Sequence, residues 1–75
     1  MGDNLQDVLA QRREAVNRFC LMAAMEQTLA EKYLEDTTDL NRYSAWRHHE
    51  RWLCAALKEW REATDVLITA LEKWQ

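Results

Sequence analysis

Residues 46–74, WRHHERWLCAALKEWREATDVLITALEKW, decide the fold: Trp46, Leu53, Trp60, Leu67 and Trp74 recur every seven residues. A second column, Tyr43, Glu50, Leu57, Thr64 and Leu71, keeps the same interval between them. Such a repeat marks a helix with a continuous seam, and five layers of it imply left-handed winding around a partner helix. Followed backwards, the period stops at Asp36-Thr37-Thr38-Asp39. Short polar side chains of this kind accept hydrogen bonds from the first N–H groups of a helix and compete with the bonds that would continue one. A turn is therefore expected at about 36–39 and a helix at about 40–74.

The same interval continues on the other side of the turn. Leu5, Leu9, Arg12, Val16, Phe19, Ala23, Glu26, Ala30 and Tyr33 step alternately by four and three. Asp3 with Gln6 three residues on has the form of a capping box, which opens this helix near Asn4 and predicts a span of about 4–35. Two helices of this length are rods of roughly 50 Å. Folding one back on the other sets Arg12 against Thr64, Val16 against Trp60, Phe19 against Leu57, Glu26 against Glu50, Ala30 against Trp46 and Tyr33 against Tyr43. Large residues then meet small ones, as interdigitated packing requires. The expectation is all-α: an antiparallel, coiled-coil-like two-helix hairpin over residues 1–75 as one domain. Arg47 and Arg51 flank Glu50 and are expected to relieve the repulsion of the Glu26–Glu50 layer.

Composition narrows the function classes. One glycine and no proline leave no material for a phosphate-cradling loop or a many-stranded sandwich. A chain that is 48% hydrophobic is too apolar for intrinsic disorder. Charged residues at 31% leave no window of 18 uncharged apolar residues and no apolar run behind a basic start, so neither a membrane span nor a secretory signal is expected. A formal net charge of −3 argues against nucleic acid as a partner. Cys20 and Cys54, without an export signal, are expected to be thiols on the flanks of buried faces in a cytoplasmic protein.

Catalytic and metal chemistry find no support in the spacing. His48 and His49 are adjacent and diverge by about 100° on a helix, and His49 and Cys54 miss the i, i+4 spacing of a helical metal pair. Nucleophilic catalysis would need Cys20 or Cys54 beside a histidine, and His48 or His49 could approach them only if the helix broke. No enzyme activity, metal or cofactor is expected.

A two-helix hairpin leaves apolar surface over. Beside the seam of the second helix runs a stripe of Ala45, Trp52, Ala56, Ala63, Val66 and Ala70, with His49 at its edge; on the first helix Met22, Met25 and Leu29 lie to one side. Small residues admit a close helix, tryptophan supplies an anchor and methionine adapts to a partner's shape. Trp52, Ala56, Ala63, Val66, Ala70, Met22, Met25 and Leu29 are accordingly the expected partner-binding residues. A hairpin this short is expected to be completed either by self-association or by a helical partner.

The start of the second helix, Tyr43-x-x-Trp46 followed by Leu53 and Ala56-Leu57, resembles the small E-component of bacterial type III secretion systems, the co-chaperone of the needle subunit. That family consists of helical hairpins of similar length with an aromatic-x-x-aromatic or apolar start to the second helix and an L-x-x-A-[IL] step after it. The resemblance implies a bacterial, cytoplasmic virulence chaperone. Such a protein joins a tetratricopeptide-like, helical-repeat chaperone subunit, and together they keep the needle protein monomeric. The competing expectation is a homodimeric four-helix-bundle regulator that binds RNA or a transcription factor.

Overall fold

The computed structural model describes residues 2–74, with side chains for residues 5–73. It contains two helices, α1 (Gly2–Glu35) and α2 (Leu40–Trp74), packed against each other, and no strand among the described residues. The molecule is an all-α helical hairpin, a rod measuring 56 × 13 × 13 Å. Both helices run without a break because the interior of each lacks glycine and proline. α1 begins at Gly2 rather than near Asn4. The side chain of Asp3, expected as its cap, lies outside the described residues, as does that of Trp74.

The reversal between the helices uses side chains in place of glycine. The Asp36 N–H donates to the Tyr33 carbonyl and the Asp39 N–H to the Asp36 carbonyl, both at 3.1 Å. The Asp36 carboxylate accepts from the Thr38 hydroxyl at 2.6 Å and from the Thr38 N–H at 3.1 Å. These two bonds, with the positive charge of Arg42, hold the Asp36 carboxyl below the usual carboxylate range against a small desolvation cost. Asp39 caps α2: its Oδ1 accepts from the N–H groups of Asn41 at 2.9 Å and Arg42 at 3.2 Å. Arg42 reaches back to donate to the Lys32 carbonyl at 2.8 Å, which satisfies an end carbonyl of α1. No described residue has positive φ, so the bend carries no left-handed strain.

Between the helices the contact face is three columns wide. On α1 the central column is Leu5, Arg12, Phe19, Glu26 and Tyr33. Val8, Ala15, Met22 and Leu29 shelter on one side of it, and Val16, Ala23 and Ala30 on the other. On α2 the centre is Trp46, Leu53, Trp60 and Leu67, flanked by His49, Ala56, Ala63 and Ala70 on one side and Glu50, Leu57 and Thr64 on the other. A seam only two columns wide is too narrow for the ~100° face that a packed helix buries. The third column comes from residues expected outside the hairpin. Ala56 is 6% exposed and belongs to the core, while Ala63, Ala70, Met22 and Leu29 are partly buried. Leu9, Tyr43 and Leu71, expected inside the seam, are exposed.

Ring contacts and hydrogen bonds set the register. The Arg12 Nε donates to Thr64 Oγ1 at 3.1 Å, and Thr64 donates onward to the Trp60 carbonyl at 2.9 Å. Tyr33 lies 5.3 Å from Tyr43 and stacks on Trp46 at 5.7 Å, while Phe19 meets Trp60 at 5.2 Å. The expected Arg12–Thr64 and Tyr33–Tyr43 layers are therefore present. At the expected Glu26–Glu50 layer, Glu26 accepts from the Trp46 indole N–H at 2.8 Å, and Glu50 pairs at 3.2 Å with Arg47, one of the two arginines expected beside it. Each carboxylate finds its own donor, which removes the repulsion a facing pair would carry.

Candidate partner-binding surface

Among the described residues only Ala15 and Ala56 are buried hydrophobic residues, and no large side chain is fully covered. The side of the rod next to these two alanines is where the helices approach through small residues. There His49 Nε2 comes within 3.2 Å of the Met22 carbonyl oxygen. Moving seven residues back along α1 and seven forward along α2 brings Ala15 level with Ala56 by the same register.

Immediately outside this column runs a pair of exposed edges. The Arg18 Nε donates to Glu59 Oε2 at 3.0 Å across the hairpin, with both side chains about half exposed. One heptad toward the turn, the same register sets Met25 level with Trp52. One heptad toward the termini, it sets Gln11 level with Val66. Trp52 is 57% exposed, Met25 45% and Val66 51%. Leu21, one helical turn before Met25, is 57% exposed and extends the patch along α1. The surface thus has an apolar cluster of Leu21, Met25 and Trp52, bounded toward the termini by the Arg18–Glu59 ion pair, with Val66 beyond it. At the other end stands the charged cluster where Arg42 meets Glu35 at 3.4 Å and Asp39 at 3.3 Å.

The eight expected partner-binding residues divide accordingly. Trp52, Met25 and Val66 stand on the open surface; Met22, Leu29, Ala63 and Ala70 are shared with the helix–helix contact; Ala56 is inside it. Leu21 was absent from that set, although its one-turn spacing to Met25 is a readable signal. The opposite side of the rod also carries exposed apolar side chains, Leu9, Ile68 and Leu71 toward the termini, and Leu34, Leu40 and Tyr43 cluster toward the turn.

Chemically, the surface offers contact area rather than reacting groups. Trp52 contributes a large, stiff side chain of the kind that anchors interfaces, and Met25 a deformable one. A shallow groove beside Trp60, lined by Arg12, Arg61, Thr64 and Asp65, is open to solvent. Cys20 and Cys54 are free and exposed, which corrects their expected place beside buried faces. Among the described residues no group of three or more His, Cys, Asp and Glu side chains is placed to hold a metal ion. No described helix is long and apolar enough to cross a membrane. Comparison with protein-family models, with curated proteins and with solved structures finds no match.

Proposed function

We propose that the chain is an interaction module whose Trp52–Met25 surface docks on a larger helical protein. The specific form proposed is a co-chaperone of a type III secretion needle subunit, acting in the bacterial cytoplasm. There the hairpin would stabilise a tetratricopeptide-like chaperone subunit, and the pair would hold the needle protein monomeric. One observation carries the reading: a tryptophan, a methionine and a leucine stand exposed on one side of a hairpin that, among its described residues, fully buries no large side chain. Contiguous apolar surface of that kind marks an interaction site. Covering it lowers the free energy of both partners by mass action and apolar burial. The hairpin form and the Tyr43, Trp46, Leu53, Ala56 and Leu57 pattern support the finer assignment.

The test is co-expression with the products of adjacent genes, followed by affinity capture and sizing of the complex. The expected result is stoichiometric recovery with a helical-repeat protein. Trp52→Ala weakens that complex at least tenfold while far-ultraviolet circular dichroism stays unchanged, as loss of an interface anchor predicts, in the range of ~2 kcal/mol. Recovery of the hairpin without any such protein contradicts the proposal.

A further inference from the structure

We infer that the Trp52–Met25 surface is self-complementary and pairs two copies of the chain about a two-fold axis parallel to the rod. This goes beyond the co-chaperone reading: the second copy covers the surface when the larger helical protein is absent, and the two occupants exclude each other.

Area supplies the first argument. A compact monomer of 9.0 kDa exposes about 4,900 Å², whereas the hairpin exposes 5991 Å². The excess of about 1,100 Å² is spread over the whole rod and is of the order of the ~800 Å² that each partner contributes to a stable interface of standard size.

Complementarity supplies the second. The Arg18–Glu59 bond at 3.0 Å fixes residues of the two edges at one height, and the repeat places Met25 and Trp52 together one heptad on. Each level therefore holds two unlike members: a cation with an anion, a pliable side chain with a rigid one. A two-fold axis along the rod lays α1 of one copy over α2 of the other at equal height. Arg18 then faces Glu59 of the second copy, Met25 faces its Trp52, and Leu21 comes beside Ala55, which is exposed on the same flank. An isologous interface requires this reciprocity of i with j and j with i. The competing two-fold, perpendicular to the rod through the patch, lays α1 over α1 and brings Arg18 onto Lys32, a like-charge contact. Toward the termini Glu14 and Glu62 share this side of the rod, so the contact centres on residues 18–29 and 48–59. The product is a four-helix bundle in which every neighbouring helix is antiparallel.

Sedimentation equilibrium of the purified chain alone should give twice the 9.0 kDa mass. Trp52→Ala should raise the dimer dissociation constant about 30-fold or more, the effect of losing a hot-spot residue. Two charge variants decide the axis independently of Trp52. Arg18→Glu alone and Glu59→Arg alone each place like charges within and between copies, and each should be monomeric while retaining helicity. Mixed one to one, they should form a heterodimer, because every contact between copies is then an unlike pair. A monomeric parent chain, or a mixture of the two variants that stays monomeric, overturns the inference. Loss of the complex with a helical-repeat protein bears on the co-chaperone reading alone, since these measurements use the chain by itself.

Discussion

Replacing Glu26 by leucine removes the acceptor of the Trp46 indole N–H and leaves that donor partly sheltered between the helices. An unsatisfied donor of this kind costs ~1–2 kcal/mol, and a chain of this size loses about 4–8 °C in melting temperature per kcal/mol. Thermal denaturation followed by circular dichroism should show the fall, and Glu26→Gln, which keeps an acceptor, should recover most of it. A melting temperature that rises in Glu26→Leu would mean that the bond adds nothing. Asp36 gives a prediction in pH. Its carboxyl is held below the usual range by Thr38 and Arg42, so the unfolded chain takes up its proton first as pH falls. The stabilisation is complete above the ordinary carboxylate value and disappears as pH falls through the lower folded value. Asp36→Ala should thus melt below the parent chain at neutral pH, and the two should converge in strong acid. A constant gap would assign the effect to something other than the ionised carboxylate. The spacing of Glu26 and Glu50 suggested a shared layer because it places both in facing columns; which carboxylate meets which donor depends on side-chain reach that spacing does not encode.

At the scale of the helix, the central columns of the seam and the turn could be read from the chain, whereas the flanks could not. Positions 8, 15, 22 and 29 and positions 9, 16, 23 and 30 lie about 50° to either side of the α1 centre. Val8, Ala15, Met22 and Leu29 are as apolar as Leu9, Val16, Ala23 and Ala30, so periodicity offers no ground for choosing between them. The packed helices use both sets in part, and close contact runs along the side where alanines face each other. Ala56 was assigned to the outer surface for that reason: a small residue is equally at home under a close helix or on an open flank. Substitution separates the two environments. Ala56→Leu overfills the contact and should destabilise the hairpin by ~1–3 kcal/mol. Ala24→Leu, on exposed α1 surface outside the contact inferred between copies, should change stability by no more than ~0.5 kcal/mol. Urea unfolding of the two variants measures both, and equal effects would contradict the assignment of Ala56 to the core.

For the molecule as a whole, the governing fact is how little of it lies beneath the surface. Stability must come from many half-covered contacts: ring pairs such as Phe19–Trp60 at 5.2 Å, each worth ~0.5–1.5 kcal/mol beyond area, and the polar bonds at Arg12 and Glu26. The denaturation midpoint of the isolated chain should therefore rise with protein concentration, because association supplies the missing cover. Melting at two widely separated concentrations checks this, and a midpoint independent of concentration would describe a hairpin that stands alone. That apolar side chains would be left exposed beside the seam was legible in the two-helix form and its leftover apolar stripe. Which of these side chains share one face was legible only in part, because Trp52 and Met25 become neighbours through the register and lie 27 positions apart in the chain.

The 56 × 13 × 13 Å outline carries a hydrodynamic consequence. A particle more than four times longer than wide experiences the drag of a larger sphere, so it leaves a sizing column early and mimics a heavier species. Lateral pairing doubles the mass with almost no added length, and the frictional ratio drops. End-to-end contact would raise it. The direction in which friction changes on association therefore reports the geometry of assembly without any label or substitution.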